Sequence, residues 1–337
     1  MIAVVILNWN GAEMLRRFLP SVVEHSHPLG EVIVADNGST DNSLEILQEE
    51  FPEVRTLVLD RNYGFAEGYN EAFRRLEEIA PQRYEYYLLL NSDVRVTADW
   101  LCPLHAYMEQ HPEVAAAQPK LRAEWAHDTL EYAGAAGGYI DRYGYPFCRG
   151  RLLSVVEKDH GQYDDIASIF WATGAALLIR QSDWWQAGGL DGHFFAHNEE
   201  IDLCWRLRAR GRDIVCVPQS VVYHVGGGTL PQEHPRKTYL NFRNNLTMLF
   251  KNLPEAELKP VMRVRCLLDF VAFVQFLLKG DLANAKAVRK ARRDFHQWQS
   301  DFVKDRQENL SRMVLNPIPE RVNRSLIVGF FLKGQKT

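Results

Sequence analysis

Three carboxylates, Glu199, Glu200 and Asp202, fall within four positions of the stretch HNEEIDLCWRLRARG. A carboxylate held beside a substrate hydroxyl can take its proton as a general base. A second stretch, LLLNSDVRV, sets Asn91, Ser92 and Asp93 at the end of an apolar run. One acid flanked by small polar groups suits magnesium or manganese, which often take one or two protein carboxylates and complete their shell with phosphate oxygens and water. Asp36 ends a third run, VIVADNGSTDNS. In dinucleotide folds an acid at that place accepts a hydrogen bond from a ribose hydroxyl. The glycine fingerprint of those folds is absent, because the first turn reads NWNGAEM. Nucleotide binding without the NAD turn is what remains. Ordinary helix-start chemistry also accounts for the acids at 199–202. Asn198 is a good N-cap, and acids in a first turn complement the helix dipole, as Arg206, Arg208 and Arg210 do further on. That dipole also favours the ionised form a base needs.

Regular elements must bring these groups together. IAVVILNW is a continuous β-branched run, as in a strand buried on both faces. Helical spacing follows over AEMLRRFLPSVVEHS, and the alternation continues through EVIVADN, a helix after STDNS, VRTLVLD, AEGYNEAFRRLEEIA and YEYYLLLNSD. A β-α-β-α order predicts a largely parallel sheet flanked by helices. Ligands then sit beyond the carboxyl ends of the strands. Asn8 to Asn10, Asp36 to Ser39, Arg61 to Tyr63 and Asn91 to Asp93 are the polar tips at that edge. The segment from Gln118 to Tyr163, rich in glycine and aromatic residues, reads as loops and short strands over the site.

VVILNWNG, VIVADNGSTDNS, RNYGFAEGYNEAF, LLLNSDVRV, TGAALLIRQSDWWQAGGLD and EEIDLCWRLRARG occur in an order that resembles family-2 glycosyltransferases, and within them the rhamnosyltransferase-like branch. The resemblance covers about residues 1–230. It implies a GT-A fold, an inverting mechanism, and transfer from a nucleotide-diphospho-sugar, with dTDP-rhamnose one candidate, to a glycan or lipid-linked acceptor in cell-surface polysaccharide synthesis. Carried over residue by residue, Asn8 and Asp36 line the nucleoside pocket, and Arg61, Asn62 and Gly64 pass near the donor. Asp93 is the metal-binding acid of the D-x-D motif, whose first acid is here Asn91; Asn91 and Ser92 meet the donor. His224 lies where some relatives have a third metal ligand, and a satisfied core histidine is the other reading. The base aligns with Glu200, with Glu199 the close alternative and Asp202 a support. Trp171 and Trp185 are the aromatic candidates for the acceptor, against a plain core-packing role.

The net charge of −4 conceals a division. Of 39 Lys and Arg and 43 Asp and Glu, 20 and 10 lie in residues 231–337, leaving 19 and 33 in 1–230. This predicts an acidic catalytic domain, 1–230, and a basic helical extension, 231–337. In the extension CLLDFVAFVQFLLKG is apolar but shorter than a bilayer span, and DLANAKAVRKARRDF follows with clustered cations. The pair predicts docking on an anionic membrane, which would put the chain in the cytoplasm, peripheral to the inner face of the plasma membrane. A nucleic-acid partner is not expected, since no recognition helix or aromatic-basic sheet motif occurs. Five scattered cysteines without a CxxC pair fit a reducing compartment, and the N-terminus carries no signal-peptide pattern. A non-catalytic nucleotide-sugar or glycan-binding protein on the same fold is the alternative, motivated by Asn91.

Overall fold

A computed structural model describes residues 1–226 and 234–333. Strand β1 (Ile2–Asn8) is buried at all positions but Leu7, as its unbroken β-branched run requires. Helix α1 (Ala12–Ser26), β2 (Gly30–Asp36), α2 (Ser43–Glu50), β3 (Arg55–Val58), α3 (Gly64–Ile79) and β4 (Tyr86–Leu90) follow in turn. Strand β1 pairs in parallel with β2 and β4, and β2 pairs with β3. Asn8 is level with Asp36, while Leu90 is level with Ile6, so the polar tips leave at one edge.

The chain continues through β5 (Val94–Val96), α4 (Leu101–Gln110), β6 (Val114–Ala123), β7 (Ala126–Leu130), β8 (Gly138–Asp141), β9 (Pro146–Cys148), β10 (Arg151–Leu152), β11 (Val155–Val156) and β12 (Ala167–Ser168). Then come β13 (Ala176–Arg180), α5 (Gln181–Ala187), α6 (Glu199–Ala209) and β14 (Asp213–His224). The main sheet runs β12-β14-β6-β13-β4-β1-β2-β3, with β5 on β14 and β7 on β6. The β4-β1-β2-β3 half is parallel. The other half is mixed, because β13 enters from the polar edge and so runs antiparallel to β4 and β6. Within the Gln118–Tyr163 region, the end of β6 and β7 stay in the main sheet, and residues 138–156 form a small second sheet, β11-β10-β9-β8, which β15 (Arg321–Val322) completes.

Helices α7 (Pro235–Asn252), α8 (Glu255–Leu278), α9 (Leu282–Trp298), α10 (Val303–Ser311) and α11 (Leu326–Lys333) make up the rest. The compositional boundary at 230/231 lies outside the described residues. Beyond it, Met248 and Leu249 of α7, Leu253 just after it and Val261 of α8 join the core cluster that contains Tyr69, Trp184 and Trp205. Helix α7 thus packs into the same core as the sheet.

Candidate active site

At the β1 and β2 tips, Asn8 and Asp36 are both fully buried, and the Asn8 amide donates to Asp36 at 3.0 Å and to Ser39 Oγ at 3.3 Å. Asn8 Oδ1 stays buried without a partner among the described residues. A buried acceptor left open in this way calls for a ligand donor. Asn37, which the sequence reading passed over, ties the neighbouring loop. Its amide donates to Gly64 O at 2.9 Å, and its Oδ1 accepts from Tyr63 N at 2.9 Å. A side chain at Gly38 (φ +71°) would put its Cβ 2.6 Å from the Arg61 carbonyl carbon, so only glycine lets the two loops touch. Arg61 stacks on the Tyr63 ring at 4.7 Å. An open cleft of about 530 Å³ runs between Arg61–Tyr63 and Gly192–Phe195.

At the β4 tip, Asp93 Oδ1 lies 3.1 Å from His224 Nε2, and Asn91 Nδ2 lies 3.4 Å from the same nitrogen. The other ring nitrogen faces Glu131 Oε1 at 3.4 Å. Burial opposes a charge on His224, but the carboxylates of Glu131 and Asp93 outweigh it and push the imidazole up to about 10. Burial likewise works to raise Asp93, and the His224 contact overcomes it, leaving the acid below its ordinary value. Two donors on neighbouring positions of an octahedral ion, each at ~2.1 Å, stand ~3.0 Å apart. The Asp93–His224 spacing matches that. Glu131 sits where a carboxylate orients a metal-bound histidine through its far nitrogen. Asp93 and His224, once an incoming cation has displaced the imidazole's second proton, therefore fit a divalent ion. Among the described residues no set of three His, Cys, Asp or Glu side chains could hold one alone, so phosphate oxygens and water would have to complete the shell. No sequence motif marks Glu131; only the fold brings it to His224.

The third group is the turn before α6. Asn91 N donates to Ala175 O at 3.0 Å, which joins the β4 tip to the Thr173–Ala175 segment. A Cβ on Gly174 would lie 3.9 Å from that of Glu200. The acids of α6 thus follow directly from the metal-type tip across one short segment. Glu199 is buried and Glu200 half-buried, and each has one carboxylate oxygen closed off from solvent without a partner among the described residues. Burial, and for Glu199 the charge of Glu200 as well, raises both; Glu200 is pushed up to about 7. This corrects the expectation from the helix dipole: desolvation outweighs it and favours the protonated forms. Asn198 holds the N-cap place by backbone alone, in the left-handed region at φ 70° and without a side-chain cap bond.

Asp202 has a different environment. It is fully buried and accepts from Arg206 at 2.9 Å, Lys251 at 3.0 Å and Asn252 at 2.7 Å. With both oxygens engaged it ties α6 to α7 and is no proton acceptor. The two tryptophans are also corrected as acceptor contacts. Trp171 is buried, its ring packs on Gly138 and its indole N–H donates to Tyr139 O at 2.9 Å. Trp185 lies on α5, after Arg180, which is level with Tyr86 at the opposite edge of the sheet from the site. Trp125 was missed. It is 76% exposed on the β6–β7 turn, and its indole N–H donates to Val225 O at 3.3 Å, one residue past His224.

Strain collects in the turn that delivers the acids. Phe195 (φ 65°, ψ −56°) centres a γ-turn of the rare form, closed by Ala196 N to Phe194 O at 2.7 Å, and His197 is also left-handed at φ 72°. Such residues cost roughly 1–3 kcal/mol each and persist only where the surroundings impose them. Helix α7 imposes them here. Asn244 Nδ2 reaches the carbonyls of Phe194, Ala196 and His197 at 3.0, 2.8 and 2.7 Å, and Arg243 donates to those of His193 and Phe194 at 3.0 Å. On the other side Phe195 O accepts from Phe65 N at 2.8 Å, and the Phe195 ring packs on Gly64. The turn is fixed between the Arg61–Gly64 loop and α7.

Residues 3–169 match the family model described as "Glycosyl transferase family 2". The N-acetylglucosaminyl-diphospho-decaprenol L-rhamnosyltransferase of Mycobacterium tuberculosis is 28% identical over 233 residues, covering 66% of this chain and 75% of the relative. Rhamnosyltransferase WbbL of Escherichia coli is 26% identical over 194 residues, covering 57% of this chain and 70% of the relative. The crystal structure of GalNAc-T7 with UDP, GalNAc and Mn2+ superposes with a TM-score of 0.58 at 16% identity, covering 95% of this chain and 59% of that one. With the family model and the fold both matched, the chain carries a glycosyl transferase family 2 domain and is a glycosyltransferase of GT-A fold.

Proposed function

We propose that this glycosyltransferase inverts the configuration of the sugar it moves, taking it from dTDP-rhamnose to a lipid-linked saccharide in cell-surface polysaccharide synthesis. The observation that carries the reading is the pair Glu199–Glu200 at the start of α6, each with a closed-off carboxylate oxygen that has no partner among the described residues, one short segment from the Asn91–Asp93 tip. Rhamnosyl transfer named for both relatives supports the sugar, and the diphospho-decaprenol of one supports the acceptor. Glu200 takes the proton of the acceptor hydroxyl as its oxygen attacks the anomeric carbon, and the nucleoside diphosphate leaves from the opposite face. A nucleoside diphosphate is a good leaving group, so one base suffices and no second acid is required. A magnesium or manganese ion on Asp93 and His224 would offset the charge of the departing diphosphate. Asn8 and Asp36 hold the nucleoside, and Arg61, Asn62 and Gly64 border the donor. Along the sheet the order runs from β2 through β4 to β14, so Trp125 stands beyond the diphosphate from the nucleoside, where an acceptor ring would stack. We place the chain on the cytoplasmic face of an anionic membrane, held through its C-terminal helices.

A donor screen tests this reading. Thermal unfolding is followed with dTDP, UDP and GDP sugars, with and without manganese, and transfer with a short-chain, water-soluble N-acetylglucosaminyl diphosphate as acceptor. Stabilisation and turnover with dTDP-rhamnose are expected. Binding without turnover of any nucleotide sugar would instead favour a non-catalytic sugar-nucleotide binder, the reading that Asn91 in place of an acid supports.

A further inference from the structure

Amphipathic helices of globular proteins turn their apolar stripe inward. Over its second half α8 does the reverse. Arg265 and Asp269 are buried and paired at 3.2 Å, and Arg265 also donates to Tyr143 O at 2.9 Å. The exposed side carries Leu267, Phe270, Val271, Leu277 and Leu278, with Leu267 63%, Phe270 59% and Leu278 84% exposed. Positions 267, 270, 271 and 278 share one helix face, a stripe about 17 Å long. Leu282 at the start of α9 and Phe331 of α11 are exposed as well. Helix α11 is fixed beside the same turn as α8, since Leu326 N donates to Asp141 Oδ2 at 2.9 Å.

The charges around this face are mainly positive, Asp281 at the N-cap of α9 being the exception. Asp269 is the only acid between residues 258 and 280, and it is buried. Lys259, Arg263, Lys279, Lys286 and Arg289 are exposed and enter no ion pair among the described residues. No helix among those residues is long and apolar enough to cross a membrane. A short exposed apolar stripe rimmed by cations matches the boundary between headgroups and acyl chains of an anionic bilayer: leucine and phenylalanine enter it, and the cations meet lipid phosphates.

We propose that the Leu267–Leu278 face of α8, with the start of α9 and α11, is the surface that lies on an anionic membrane. The proposal rests on the reading of a lipid-linked acceptor and names the docking face. The buried Arg265 beneath the stripe also hydrogen-bonds Asn245 of α7, the helix that clamps the α6 turn. One buried network therefore joins the membrane face to the turn that carries the acids.

The test is flotation of the full chain with vesicles of phosphatidylcholine alone or with one-fifth phosphatidylglycerol, at low and high salt. The wild type is expected to float with the anionic vesicles. At least about tenfold weaker binding is expected for neutral vesicles, and for the double variant F270E/L278E on anionic ones. The triple variant K279Q/K286Q/R289Q should lose the salt-sensitive part of the binding. Both variants should unfold at the wild-type temperature and keep wild-type transfer to the water-soluble acceptor. Equal flotation of F270E/L278E and wild type overturns the proposal. So does a dimer in solution that F270E/L278E splits, because a second copy would then cover the face. Failure of transfer by the wild type would count against the catalytic reading and leave the flotation result standing.

Discussion

Lys251 of α7 and Asp202 of α6 stand 3.0 Å apart, both buried, and Lys251 also reaches Asp191 at 2.6 Å. Two acids at the two ends of the 191–202 turn thus share one cation from the basic, C-terminal part of the chain. Buried pairs of this kind lose most when one partner is removed; without Lys251, Asp191 would keep only the exposed His193, while Asp202 would keep Arg206. Lys251→Met is expected to cost roughly 3–5 kcal/mol in chemical denaturation. An unchanged unfolding midpoint would show that the clamp does not hold the turn.

Asn244→Ala removes the amide shared by three carbonyls of the strained turn. The expected loss is about 1–3 kcal/mol of stability. Transfer should fall further than donor affinity, since the turn sets the place of Glu199 and Glu200. Isothermal titration with donor, run beside steady-state rates, separates the two effects. An equal loss in both would mean that Asn244 only supports the fold.

Glu200→Gln should leave donor binding intact and lower kcat by roughly 100- to 10,000-fold, the usual contribution of a positioned base. Glu199→Gln should keep most of the turnover. The reverse pattern would move the role of base to Glu199.

Activity should carry an acid limb. With Glu200 pushed up to about 7, the ionised base is lost as pH falls below neutrality, and kcat/KM should drop about tenfold per unit there. The same shift has a stability sign. A carboxyl whose folded value is raised binds more protons folded than unfolded, so its contribution is full below the ordinary value near 4.5 and is lost as pH rises through about 7. Glu200→Gln should flatten that decline in a pH series of unfolding curves. A pH-rate profile flat from 5.5 to 8 speaks against Glu200 as the base.

Trp125→Ala should raise the acceptor KM about five- to tenfold, the scale of one aromatic stacking contact, and leave donor affinity unchanged. Trp125→Phe should recover most of the loss. A rise in donor KM instead would assign the ring to the donor side.

The sequence by itself determined the sheet edge and much of what stands on it. Its apolar runs are unbroken, as in doubly covered strands, and each ends in a polar tip, so Asn8, Asp36 and Asn91–Asp93 could be placed at one edge before any fold was known. It also marked the acids at 199–202, whose spacing fits a first helical turn. Contacts between distant segments are not written in local pattern. Only the tertiary structure brought Glu131 to His224 across 93 positions, put Trp171 in the core, and carried Trp185 to the far edge through the antiparallel run of β13. It also decided among the three acids. They share one turn and one helix dipole, yet the cations of α6 and α7 engage Asp202, while desolvation raises Glu199 and Glu200. Composition divided the chain at residue 230, but burial follows packing: α7 belongs to the basic part by charge and to the active-site turn by its hydrogen bonds.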